Sequence, residues 1–122
     1  MIHRIGVGYG NEQIIFSLRS ITAAEENRYT NRFLEISAKL SEERRIDEEY
    51  KIYAESLAAW SDSVPMKRNG TGEETPLFEG DMSPAEAVNK YLADPTDEKF
   101  RMIRALIGNY RTVKLVPDVV FY

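Results

Sequence analysis

One histidine, His3, and four carboxylate clusters are the residues whose types lend themselves to acid–base or metal chemistry in this chain. A lone imidazole, in a sequence without cysteine, cannot build a His-centred triad or a multi-histidine metal site. His3 is expected instead at the surface or on a strand edge. The clusters are Glu42-Glu43, Asp47-Glu48-Glu49, Glu73-Glu74 and Asp97-Glu98. Three of them fall in helical patterns with arginine or lysine nearby as counter-charge, and Glu73-Glu74 falls in a loop. None has the alternating acids of a calcium loop, and facing acids of the glycosidase kind need a cleft that linear spacing cannot specify. The residues therefore predict a protein that is not an enzyme, with no catalytic group, cofactor or metal.

Two further motifs invite a chemical reading. Gly6-Val7-Gly8-Tyr9-Gly10-Asn11 has the glycine spacing of a dinucleotide loop, but Asn11 holds the sixth position and a strand pattern follows where that motif requires a helix. A β-hairpin whose glycines ease twisting and turning is the better reading. Asn69-Gly70-Thr71 matches a glycosylation acceptor. In a cysteine-free chain with no signal-peptide pattern it is read as a turn.

Composition narrows the function classes. The chain has 122 residues and a formal net charge of -4, with acids and bases interleaved rather than gathered into a basic face, which argues against nucleic-acid binding. No apolar run approaches the roughly 20 residues of a membrane span, so neither a nucleic acid nor a membrane is an expected partner. Absence of cysteine suits a cytoplasmic location. Seven tyrosines, five phenylalanines and one tryptophan promise an aromatic-rich core and an interface.

Elements that would position these residues can be read in order. Ile5, Val7 and Tyr9 alternate along one run and Ile14, Phe16 and Leu18 along the next, on either side of Gly10-Asn11, which predicts the hairpin. Thr22 and Glu25 form a capping box that starts a helix. One apolar stripe follows, Tyr29, Phe33, Ile36 and Leu40, and then a second, Ile46, Tyr50, Tyr53, Leu57 and Trp60. The second is rotated by roughly 100° from the first. As one straight helix, residues 23–62 would be about 60 Å long, against a radius of gyration near 14 Å for a compact chain of this size. With no glycine or proline to mark a break, the reading favours one long helix, bent or broken near residue 41 and packed by partners.

A mobile loop is expected over about residues 63–81, rich in turn-forming pairs. Ser83-Pro84-Ala85-Glu86 is a second capping box opening a short helix, and Asp94 or Thr96 caps another that is expected to stop at Gly108-Asn109. From Val113 onward the β-branched residues around Pro117 predict an edge strand or an extended tail. The whole reads as a single domain over residues 1–122, α+β and mainly α. Its expected partner interface is Tyr50, Tyr53, Leu57, Trp60, Val119 and Phe121, and it is expected to form a homo-oligomer.

The strand ending in Phe16-Ser17-Leu18-Arg19-Ser20-Ile21-Thr22 and running into an acid-rich helix start resembles the amino-terminal part of tail assembly chaperones from long-tailed bacteriophages and prophages. Phe16, Leu18, Arg19, Ile21, Thr22 and Glu25 carry the likeness, within residues 14–37, and Ser20 replaces a proline common in that family. The resemblance implies a small, mostly helical protein of the bacterial host cytoplasm that binds the tape-measure protein, keeps it soluble and helps to recruit tail-tube subunits. Members are often made in a longer frameshifted form as well. The alternative expectation is a structural head-tail connector or tail-completion subunit of a virion.

Overall fold

The computed structural model describes residues 2–8, 12–39 and 41–115. Its elements are β1 (Ile2–Val7), β2 (Gln13–Arg19), α1 (Ala23–Lys39), α2 (Glu42–Trp60), β3 (Met66–Arg68), β4 (Glu74–Pro76), α3 (Pro84–Leu92) and α4 (Asp97–Leu115). The fold is α+β and mainly α, as the patterns predict.

β1 and β2 pair antiparallel with Ile5 opposite Phe16, His3 opposite Leu18 and Val7 opposite Ile14, so the alternating apolar residues share one face. That face meets the helices. The connecting residues 9–11 lie outside the described residues. His3 lies on the edge strand of the sheet but not at the surface: it is buried on this inner face, edge-on to the Tyr110 ring with centroids 5.8 Å apart.

The segment read as a loop contains the other half of the sheet. β3 pairs with β2 and β4 with β3, all antiparallel, giving a sheet of order β1-β2-β3-β4. Asn69 makes the turn between β3 and β4, its side-chain oxygen accepting from the backbone N–H groups of Thr71 and Glu73 at 3.0 Å each. In a flat sheet β1 and β4 would stand about 14 Å apart. Here Arg4 of β1 forms an ion pair with Glu74 of β4, and Arg68 joins the same carboxylate at 2.9 Å, so long side chains tie the two edge strands together across β2 and β3. Ile15 and Ser17, on the face away from the core, are buried as well, which leaves β2 buried on both sides.

The predicted long helix is two helices. α1 doubles back along α2, with Tyr29 packed on Trp60 at 5.5 Å, Phe33 on Tyr53 at 5.1 Å and Arg32 paired to Glu55 at 2.6 Å. Ser41, extended with ψ 158°, stands at the start of α2. The two stripes are out of phase because each is the other's partner. Helix propensity favours continuity by only tenths of a kcal/mol per residue, and burying a row of aromatics outweighs it.

α2 is the central element, packing on α1, α3, α4 and β2. Capping is local and matches the sequence: Thr22 and Glu25 bond reciprocally, Ser83 accepts from the Glu86 N–H, and Thr96 rather than Asp94 caps α4 through the Lys99 N–H. Gly108-Asn109 does not end α4, which runs on to Leu115 and places Val113 to Leu115 in helix, not strand. Tyr110 gives the reason. Its ring is fully buried against Trp60 and its hydroxyl donates to the Arg19 carbonyl, a position that only a continued helix reaches. The remainder of the predicted edge strand, with Val119 and Phe121, lies outside the described residues.

Candidate protein-binding groove

Polar side chains gather at the junction between β2 and α1 and around a groove beside the Val7 and Gln13 ends of the two hairpin strands. At the junction Arg19 binds both oxygens of Glu25, at 3.0 and 2.7 Å, and also reaches the Ala59 carbonyl of α2 at 3.2 Å. Those bonds, together with the Thr22 N–H, pull the Glu25 carboxyl down to about 2. Four elements meet there, since Tyr110 of α4 holds the Arg19 carbonyl. Every polar group is engaged within the chain, so the junction is a clasp.

The groove is a cavity of about 720 Å³ between the adjoining ends of β1 and β2, at residues 6–8 and 12–14, and helices α3 and α4. Its apolar lining is Val7, Ile14, Leu77, Tyr91, Met102 and Ala105. Around these stand Glu12, Lys67, Glu98, Lys99 and Arg101. Lys67 answers Glu12 at 3.4 Å. The Lys99 ammonium sits 5.0 Å from the Tyr91 ring centre and donates to the Asp94 carbonyl at 3.1 Å. Burial pushes the Tyr91 phenol up. Gly8 shapes the mouth, because at its φ of +150° an added Cβ would lie 2.5 Å from the Glu12 carbonyl oxygen.

Of the predicted interface residues, Tyr50, Tyr53, Leu57 and Trp60 do not line this groove. Tyr50, Tyr53, Leu57 and Trp60 are all buried, Leu57 completely, and Tyr50 and Trp60 reach only the edges of shallow surface hollows. Tyr50 donates to the Leu92 carbonyl at 3.1 Å and stacks near Phe100, Tyr53 packs on Phe33, and Trp60 lies between Tyr29 and Tyr110. The second stripe is spent on α1, α3 and α4. Val119 and Phe121 lie outside the described residues. The groove escaped sequence reading because its walls come from separate segments. Its only sequence trace is the coincidence of small residues, Gly6, Gly8 and Ala105, with unassigned cations on α4.

The carboxylate clusters are dispersed. Glu42-Glu43 and Asp97-Glu98 sit in first helical turns, where they complement the helix dipole, and Glu74 is held low by Arg68 and Arg4. Among the described residues no group of three or more His, Asp or Glu side chains could hold a metal ion, and no buried side-chain polar atom lacks a partner. No described helix is long and apolar enough to cross a membrane. No protein-family model, curated protein or solved structure matches the chain.

Proposed function

We propose that this chain is a non-enzymatic assembly chaperone of the bacteriophage tail type, acting in the host cytoplasm by holding an apolar segment of a tape-measure protein in solution while tail-tube subunits are recruited. The observation that carries the reading is the composition of the groove: an apolar floor ringed by charges of both signs, the make-up of a surface that recognises polypeptide. The sequence likeness at Phe16, Leu18, Arg19, Ile21, Thr22 and Glu25 supplies the kind of client.

Co-expression with a long helical tape-measure protein tests it. A soluble complex of the two, with this chain absent from finished tails, is the expected result. Recovery of the chain from purified virions would instead make it a structural connector or completion subunit. Self-association belongs to the same reading, and light scattering that finds a strict monomer removes it.

A further inference from the structure

We infer that the groove between the adjoining ends of β1 and β2 and helix α4 docks a partner's polypeptide segment in which apolar side chains stand beside carboxylates. The inference rests on the chaperone reading and names where, and by what chemistry, the client is held. Charge selects the occupant. Lys67 and Glu12 answer one another across the rim, which leaves, among the described lining residues, Lys99 and Arg101 on the α4 wall against the single carboxylate of Glu98. Lys99 is engaged by a carbonyl and an aromatic face, both neutral, so its full charge is still presented to an incoming acid. Arg101 is exposed one residue before Met102 of the floor.

This local excess of positive charge opposes the sign of the chain as a whole, whose net charge is -4. A basic segment would be drawn to the general surface and repelled at the groove wall, whereas an acidic one gains at that wall alone. The floor then supplies affinity. Val7, Ile14, Tyr91 and Met102 are each only half-buried, and 720 Å³ lies within the roughly 300–1,000 Å³ of clefts that enclose a ligand. Tyr91 is backed by Phe16, with ring centres 6.3 Å apart, and Val7, Ile14 and Met102 pack on the same core, so the floor is formed before anything binds.

Two synthetic peptides of about 15 residues, a length at which an isolated helix is marginal, provide the probe. Both carry leucines at helical spacing, one flanked by glutamates and the other by lysines, and each is titrated into the full isotope-labelled chain with backbone amide shifts recorded. Shifts are expected at Val7, Ile14, Tyr91 and Met102. The acidic peptide is expected to bind roughly three- to tenfold more tightly at low salt, with the margin shrinking as salt rises. Ala105→Trp, at an exposed position of the wall, fills the groove and weakens the acidic peptide roughly tenfold with the spectrum elsewhere unchanged. The double change Lys99→Gln with Arg101→Gln abolishes the preference for acid.

Shifts that cluster elsewhere, equal affinity for the two peptides, or indifference to Ala105→Trp would each overturn the inference. A tape-measure protein that co-purifies equally with the Ala105→Trp chain removes the groove and leaves the chaperone reading standing. Acidic-peptide binding at the groove with no tape-measure complex does the reverse.

Discussion

Arg19 and Glu25 show how much one pair can organise. Arg19 closes β2, and its guanidinium joins the first turn of α1 to the last turn of α2 through Glu25 and the Ala59 carbonyl. Glu25 completes the capping box at the same time, accepting from the Thr22 N–H at 3.0 Å. Its carboxyl titrates at about 2 in the folded chain against 4.5 when free. The folded state therefore binds that proton less readily than the unfolded state. The resulting stability is fully present above pH 4.5 and is lost as pH falls from about 4.5 to about 2. Because Arg19 is partly exposed, solvent screening limits the effect to about 1 kcal/mol. Glu25→Gln should lower neutral-pH stability by about that amount, and should flatten the acid limb of a urea-midpoint titration between pH 5 and about 2. A variant with an acid limb as steep as the parent's would show that other carboxylates carry it.

Elements were legible where their signals are local. The caps at Thr22, Ser83 and Thr96 need only a side chain and an N–H three residues on, and each is formed as the sequence predicts. Ile5, Phe16 and Leu18 could be placed on one sheet face because alternation is a property of the strand itself. The turn back from α1 to α2 was not legible. No residue near Ser41 forbids a helix, and the preference for folding back comes from rings of α1 meeting rings of α2. β3 and β4 are three residues each, too short for periodicity to register, and form because β2 offers an edge to β3 and β3 in turn offers one to β4. Gly108 misled for a similar reason: its cost of roughly 1 kcal/mol in a helix interior is outweighed by burial of Tyr110 beyond it. Since α1 is held mainly by α2, its stability should be local. Phe33→Ala removes a ring that touches both Tyr29 and Tyr53, and should cost about 2–3 kcal/mol for a half-buried site. Hydrogen exchange is expected to show α1 amides losing protection while those of β1 and β2 keep theirs. Uniform loss across the chain would mean that α1 is not a separate unit.

At the scale of the whole molecule α2 is the shared wall. It faces α1, α3, α4 and β2, and its residues Ile52, Leu57 and Trp60 belong to a single apolar cluster with Ile5, Phe16, Val88, Ile103 and Leu106. The groove, by contrast, is built from the adjoining ends of β1 and β2, Tyr91 of α3 and the exposed side of α4, with an apolar floor only partly buried. Stability should therefore rest chiefly on the fully buried residues of that cluster, against which the groove's Val7, Ile14, Tyr91 and Met102 pack from outside. Leu57 tests that claim, being completely buried at the centre of α2. Leu57→Ala should cost about 3–5 kcal/mol, because sheet and helices surround the site and cannot all collapse into the cavity. A chain of this size has about 6–18 kcal/mol in total, so the variant folds with a lowered urea midpoint. Far-ultraviolet dichroism, which follows the helices, and tryptophan fluorescence, which follows Trp60 beside Tyr110, should then move together. Separate midpoints would mean that α2 does not couple the layers, and that its contacts on either side break independently.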